Sequence, residues 1–432
     1  MKSSDWLRES FSEHVEYMRQ QFGPDAADVR HELFYLHAGR SQVAAGIRAL
    51  AALLRDSWLL LRRTSPGLNA QGHKQAILLT TLAGVSGWST LQRALPALAA
   101  AGYAPLVLLH PRLTIDDISP ALPCIRPARP DLQAWRSALH VFIATLRQAR
   151  PLLLASCLAR RALWSASLRR TLAGSRGVVL LHNDFDLMSR AAIGQGLTSI
   201  CVQHGIATDE FFPTRADCYL VWGDASRQVF ETNGTPSAQL VEDALRRGEG
   251  PEQAARPPEG IALLSQTHAQ ILGEGIGEAL ATFAHALLQI APDARILLHP
   301  QEDQPYSGAA ARATRRPPHP ELQPRAAIPQ LVVGYCSTAM LEAALAGHWV
   351  VALQLALPGN RALRQAMAAP LQAETAKQVV SLYQRLRDDP AFRQATGQAQ
   401  TQWLRSHFAT QTSGFAGLLQ RLEQPATLEP GA

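Results

Sequence analysis

The chain has 432 residues, 47% hydrophobic and 18% charged, so it can bury a sizeable core and is neither disordered nor fibrous. Aromatics make up only 6%, which favours a helix-rich α/β protein over a β-sandwich, and at roughly 100–200 residues per domain two domains are expected. The 41 Lys and Arg against 35 Asp and Glu leave +6, an excess that suits anionic ligands or a negatively charged membrane as well as nucleic acid. No segment interleaves basic and aromatic residues, so nucleic acid is not an expected partner.

Residues 1–70 read as an N-terminal helical segment. Its stretch from Gln42 to Arg63 sets apolar residues at helical spacing with Arg48, Arg55, Arg62 and Arg63 between them. Two readings stay open for it: a helix packed on the domain behind, or a basic amphipathic surface touching anionic lipid. The first residues carry charge where a signal peptide needs an apolar core, and no apolar run approaches the roughly 20 residues of a membrane span. Cys124, Cys157, Cys201, Cys218 and Cys336 are scattered without a CxxC pair, which supports neither a zinc knuckle nor a disulfide framework. A cytoplasmic protein, free or at the inner face of the cytoplasmic membrane, is expected.

From Gln75 short apolar runs alternate with helical stretches, the pattern of parallel sheets with crossovers. Strands are expected at Ala76–Gly84, Pro105–Pro111, Gly177–Asp184, Leu197–Gly205 and Cys218–Asp224. Helices are expected from about Trp88 to Ala101, Leu132 to Arg147 and Leu152 to Ala173. Residues 243–260, rich in Gly, Pro and charge, read as a linker between a first domain (71–242) and a second (261–400). The second series places strands at Ile261–Thr267, Ala294–Pro300, Gln330–Thr338 and Trp349–Leu355. After Asn360 the chain reads as helical to about Leu422, with 401–432 a terminal helix and tail.

In such sheets ligands bind at the carboxyl ends of strands, so the polar residues there are the candidates. In VVGYCSTAMLEAALAG the strand stops at Cys336, and Ser337 and Thr338 open a helix. Free amides, the helix dipole and two hydroxyls make a phosphate cradle there, although an ordinary Ser/Thr cap has the same pattern. Glu342, further along, can accept from ribose hydroxyls or improve the helix N-terminus. His299 followed by Pro300 ends another strand, and Ser265, Gln266 and Thr267 end a third, without a P-loop. In the first half, His182, Asn183, Asp184 and Asp186 end one strand, and Gln203, His204, Asp209 and Glu210 follow the next. Carboxylate and imidazole at neighbouring strand ends are the parts of proton transfer or nucleophilic attack. Arg312, Arg315 and Arg316 lie in a Pro- and Arg-rich loop able to clamp a polyanion or simply to be solvated.

Over roughly residues 75–355, the order Asp184, Gln203-His204-Gly205, Trp222-Gly223, His299-Pro300, Ser337-Thr338 and Glu342-Ala343 resembles bacterial surface-polysaccharide glycosyltransferases of the GT-B fold. It is similar to sialyl and Kdo transferases and to CDP-glycerol-type polymer transferases. The resemblance implies two Rossmann-like domains facing a cleft, and a cytoplasmic enzyme that needs no cofactor or metal. A nucleotide sugar, best matched by a CMP-linked Kdo or sialic-type sugar, would sit on Gln266, Thr267, His299, Pro300, Ser337, Thr338 and Glu342. The acceptor would be a surface polysaccharide or lipid-linked glycan, with Asp184 or His204 deprotonating its hydroxyl, or Asp184 attacking the sugar. Peripheral membrane contact would run through the N-terminal helices. The His-Asn-Asp-Phe-Asp segment departs from the acidic-pair-glycine pattern of sialyltransferases. A UDP-GlcNAc 2-epimerase-like enzyme, which carries an SGG-type turn where Cys336-Ser337-Thr338 stands here, and a non-catalytic GT-B-like scaffold are the alternatives.

Overall fold

The computed structural model describes residues 11–37, 40–65, 74–82, 87–118, 122–243, 256–266, 270–272, 275–299, 313–315, 328–355, 357, 361–409 and 413–423. Within them the apolar runs form two parallel sheets, as the α/β reading expects. The first contains β1 (Gln75–Thr80), β2 (Ala104–Leu109), β3 (Cys124–Ile125), β4 (Gly177–Leu181), β5 (Thr198–Val202), β6 (Cys218–Val221) and β7 (Leu240–Glu242), in the order β3-β2-β1-β4-β5-β6-β7. The second contains β8 (Ile261–Leu264), β9 (Arg295–Leu298), β10 (Ala313–Arg315), β11 (Leu331–Gly334), β12 (Trp349–Leu353) and β13 (Leu371–Ala373), in the order β10-β9-β8-β11-β12-β13. Each sheet starts near its middle, runs out to one edge, then returns to build the other. The direction of travel therefore reverses between β1 and β4 in one sheet and between β8 and β11 in the other, leaving a crevice at each reversal.

Strand alternation divides the first sheet's core into two layers. Ile77, Leu79, Leu108, Val179 and Leu181 face Leu60, Leu163 and Trp164 of the Gln42–Arg62 and Leu152–Leu172 helices. Leu78, Val107 and Leu180 face Trp88, Leu91 and the C-terminal helix Gly414–Glu423, through Phe415, Leu418 and Leu419. That last helix thus returns to the first sheet after the chain has built the second. Phe415 N–H donates to Asp243 at 2.5 Å, and a Cβ on Gly414 would stand 2.0 Å from the Glu242 carbonyl oxygen, so only glycine fits at the crossing.

Several elements differ from the sequence reading. The helix expected over Trp88–Ala101 is two, Trp88–Gln92 and Leu95–Ala100, because Pro96 has no N–H for the Gln92 carbonyl and clashes with it. The tail after Asn360 is not wholly helical: Leu371 and Ala373 are buried and Gln372 is exposed, the period-two signature of the added edge strand β13. Strands β3 and β7, of two and three residues, are too short to show a period. Strand β10 runs through the expected arginine loop, whose Arg312 and Arg316 lie outside the described residues.

The N-terminal segment is helical over Phe11–Phe22, Pro24–Ala27, Arg30–His37 and Gln42–Arg62. Ion pairs from Asp28 to Arg161 (2.8 Å) and Arg190 (2.7 Å) hold it to the first sheet's helices. His14 and His37 are buried inside it, with the His14 ring edge-on to Phe34 at 5.2 Å. Burial and the neighbouring His37 push His14 down to about 3, and burial and Arg40 push His37 down to about 4. Among the described residues no helix is long and apolar enough to cross a membrane.

Two measurements test this packing. Replacing the fully buried Phe415 by Ala removes the ring that seals the C-terminal helix to the sheet, and equilibrium denaturation should show a loss of about 3–5 kcal/mol. The unfolded chain protonates its imidazoles near 6.5, whereas His14 and His37 stay neutral in the folded chain down to about 3 and 4. The unfolded state therefore binds more protons in that window, and stability should fall as pH drops from 6.5 towards 4. Thermal unfolding of His14→Phe should show a shallower fall.

Candidate functional site

At the first crevice, Thr81 follows β1 and His182 follows β4. His182 Nε2 lies 3.0 Å from Thr81 Oγ1 and accepts from the Thr81 amide at 3.3 Å. Thr81 Oγ1 in turn donates to Asp186 at 2.8 Å. Asp186 also caps the Leu187–Ala192 helix by accepting from the Ser189 amide at 2.8 Å. Burial pushes its carboxyl up, but His182 and the bonds from Ser189 and Thr81 outweigh that and hold it below the ordinary range. Burial pushes the His182 ring down.

Asp184 stands in the same turn after β4. Its side chain is wholly buried, and it accepts from the amides of Arg215 (2.5 Å) and Ala216 (3.3 Å) and from the Tyr219 hydroxyl. All three bonds fall on Oδ2, which holds the 215–219 turn, while Oδ1 is buried with no hydrogen-bond partner among the described residues. Burial raises the Asp184 pKa against those bonds. The acid bonded to Thr81 is Asp186, two residues on.

His204 follows β5. Its Nδ1 lies 2.6 Å from the His182 carbonyl oxygen, so Nδ1 carries the proton and donates it there. The ring stacks on Phe211 at 5.4 Å and 24°. Burial pushes its pKa down, which keeps the ring neutral with Nε2 as the lone-pair nitrogen. His204 is only partly buried, and among the described residues Nε2 makes no hydrogen bond. Its flanking residues set the turn: Gln203 accepts from the Trp222 amide (2.9 Å), donates to the Gly205 carbonyl (2.9 Å), and its own carbonyl accepts from the Trp222 indole (2.9 Å). The QHG and WG segments are thus one hydrogen-bonded unit.

At the second crevice, Gln266 follows β8, His299 follows β9, and Ser337 and Thr338 follow β11, three adjacent strands in the sheet. Gln266 Oε1 accepts from the Cys336 amide at 3.3 Å, across the reversal point. The residue is 4% exposed and its Nε2 is buried with no hydrogen-bond partner among the described residues. Ser337 caps the Thr338–Leu345 helix by accepting from the Ala339 amide at 3.3 Å. His299 is partly buried, and Glu342 is buried one turn into the helix. Thr267 and Pro300 lie outside the described residues.

The two crevices meet. Thr338 Oγ1 accepts from the Ile206 amide at 3.2 Å, and a Cβ on Gly205 would sit 3.3 Å from that oxygen. The helix opening in the second half therefore abuts the turn that carries His204. A second tie runs from the Ala362 amide to Asp209 at 3.0 Å.

The N-terminal segment adds residues that the sequence reading did not single out. Glu210 accepts from the Tyr35 hydroxyl at 3.1 Å and lies 3.5 Å from His31 Nε2. The sequence reading places Glu210 at its strand end, but 175 residues separate it from Tyr35, and no local pattern marks Tyr35 or His31. Thr81 was hidden for the same reason, since its meaning comes from His182 on the neighbouring strand. Among the described residues no group of three or more His, Cys, Asp and Glu side chains is placed to hold a metal ion.

No family model and no curated protein matches this chain. Similar solved structures include spinosyn forosaminyltransferase SpnP, with 14% identity over 81% of this chain and 99% of that one and a TM-score of 0.47. Arabidopsis thaliana UGT89C1 complexed with quercetin has 12% identity over 81% and 98%, with a TM-score of 0.47. A putative UDP-N-acetylglucosamine 2-epimerase from Listeria monocytogenes has 13% identity over 81% and 95%, with a TM-score of 0.43. Likeness of this degree carries no argument about activity.

Removing the Asp184 carboxylate takes away the acceptor of the buried Tyr219 hydroxyl and leaves the Arg215 and Ala216 amides with the Tyr219 oxygen alone (2.7 and 2.9 Å); an unmet buried donor costs about 1–3 kcal/mol. Asp184→Ala should therefore lower the unfolding midpoint, while Asp186→Asn, which keeps one oxygen for the Ser189 amide but loses the carboxylate that accepts from Thr81, should lower it less; differential scanning fluorimetry separates the two.

Proposed function

We propose that the chain is a glycosyltransferase that moves a sugar from a nucleotide-activated donor to a hydroxyl of an acceptor glycan. The observation that carries this reading is the meeting of the Thr338–Leu345 helix N-terminus with the His204 turn. An anion seat and a neutral imidazole with a free nitrogen then share one space, which is what glycosyl transfer from a phosphate leaving group needs.

The donor's phosphate takes the Thr338 amide, whose side chain is already engaged with Ile206, together with the unpartnered Gln266 Nε2 and His299. The acceptor hydroxyl attacks the anomeric carbon as the bond from that carbon to the phosphate oxygen breaks. The phosphate leaves with the electron pair, and the hydroxyl proton passes to His204 Nε2. The His182 carbonyl, accepting from Nδ1–H at 2.6 Å, stabilises the imidazolium that results. The dipole of the helix offsets the phosphate's developing charge.

A CMP-linked Kdo or sialic-type donor and a surface polysaccharide or lipid-linked acceptor are our choices within this class. They rest on the order of the Gln-His-Gly, His-Pro and Ser-Thr segments. The enzyme would work at the inner face of the cytoplasmic membrane.

Calorimetry and turnover assays with CMP, CDP, UDP and GDP sugars test the reading. His204→Ala should bind the preferred nucleotide like the unaltered chain yet turn over about 10²–10⁴-fold more slowly, the usual span for loss of a general base. Gln266→Leu should instead weaken nucleotide binding. Unchanged turnover in His204→Ala, or conversion of UDP-GlcNAc with no acceptor present, would overturn the assignment.

A further inference from the structure

The Gln42–Arg62 helix leaves Val43, Ile47, Leu54, Trp58 and Leu61 in solvent, at spacings of four, seven, four and three residues that place them along one stripe. The Leu132–Arg147 helix does the same with Leu132, Leu139, Ile143 and Leu146, spaced seven, four and three. All nine are between 38% and 73% exposed. Both helices lie against the buried Leu152–Leu172 helix, and their inner faces share clusters: Ala45 and Ala49 with Val141, Leu60 with Ala138. Each helix that flanks the buried Leu152–Leu172 helix thus turns an apolar stripe outward, surface that a protein rarely exposes without use.

Charge identifies what covers it. Arg48, Arg55, Arg62 and Arg147 each directly follow a stripe residue and are exposed. The Arg62 guanidinium lies over the Trp58 ring at 5.8 Å. Neither helix exposes an acid: the Leu132–Arg147 helix has none, and Asp56, the one acid of the other, is buried on its inner face. Asp131, just before the second helix, is tied to Arg170 at 2.8 Å. A second copy docked on this face would set arginine against arginine. Apolar stripes edged by cations of one sign, with a tryptophan among them, match the boundary between acyl chains and anionic headgroups.

We propose that the outer faces of the Gln42–Arg62 and Leu132–Arg147 helices form a docking surface for an anionic lipid bilayer. The stripes enter the headgroup region and the arginines meet lipid phosphates. This names the membrane contact surface, but it stands on exposure and charge alone and does not depend on the transfer reaction.

Flotation of the full chain tests it, with vesicles of phosphatidylcholine alone and of phosphatidylcholine mixed with phosphatidylglycerol. The chain should float with the mixed vesicles and stay behind with the neutral ones. The triple change Arg48→Ala, Arg62→Ala, Arg147→Ala should lower partitioning on the order of a hundredfold. Ile47→Ser with Leu54→Ser should lower it about tenfold or more. All these side chains are exposed, so circular dichroism melts should stay unchanged. Absence of binding to the mixed vesicles overturns the proposal. So does binding that neither set of changes affects, or a concentration-dependent dimer that Leu54→Ser dissolves.

Discussion

A single hydrogen bond, from the Ile206 amide to Thr338 Oγ1 at 3.2 Å, decides what this fold can do. It sets the start of one helix in the second half against the turn after β5 in the first. Two sheets alone would give two unrelated crevices. With this contact, the amide end of the helix abuts the turn that carries His204. Its companion, Ala362 N–H to Asp209 at 3.0 Å, fixes the relative register at a second point. Each such bond contributes only about 0.5–1.5 kcal/mol net, so the pair sets register, while the buried cluster that joins Phe211, Trp222 and Phe230 to Leu341, Ala366 and Phe408 supplies the cohesion.

The His204 turn can serve as a fixed reference because its stiffness comes from Trp222. Gln203 satisfies the Trp222 amide with its side chain and the Trp222 indole with its carbonyl, while its side-chain amide closes on Gly205. Trp222 is stacked at 5.9 Å on Phe408, and its carbonyl accepts from Ala409, where the chain returns from the second half to the first. A motif pair that looks like two short, separate signatures is thus one device linking β5, β6 and the returning C-terminal segment. His204 sits within that device, directly between Gln203 and Gly205.

The long strands were legible because buried parallel strands are continuous apolar runs, and β1, β2, β4, β8, β11 and β12 are buried almost throughout. Edge strands β3 and β7 were not, because two or three residues carry no period, and the three residues of β13 alternate too briefly to stand out between helices; the pairing of all three is supplied by a neighbour. The candidate site divides the same way. That polar residues gather at strand ends follows from topology, so His182, His204, Gln266 and Ser337 could be picked out. How the two carboxylates divide could not. Asp184 and Asp186 lie on one short turn, and only the amides of Arg215 and Ala216 and the phenol of Tyr219, more than thirty residues later, engage Asp184. A buried acid needs such partners to be tolerated at all.

The Gln42–Arg62 helix shows how one element can serve the site and the surface together. On its inner side Asp56 accepts from Arg160 at 2.9 Å and from the Trp164 indole at 3.0 Å, with Arg112 at 3.5 Å. Burial works against that carboxylate's charge, but Arg160 and its hydrogen bonds bring its pKa below the ordinary value. Trp164 lies 5.2 Å from the His110 ring at the end of β2. Directly after the helix, Arg63 donates to the Pro111 carbonyl at 3.2 Å. The helix is therefore pinned to the carboxyl edge of the first sheet, the edge that holds His182 and His204, by a buried ion pair whose rupture would leave an uncompensated charge. Its outer stripe cannot shift along or roll over the sheet without breaking that network. A bilayer that takes the stripe must then hold the first crevice at a set height above the headgroups.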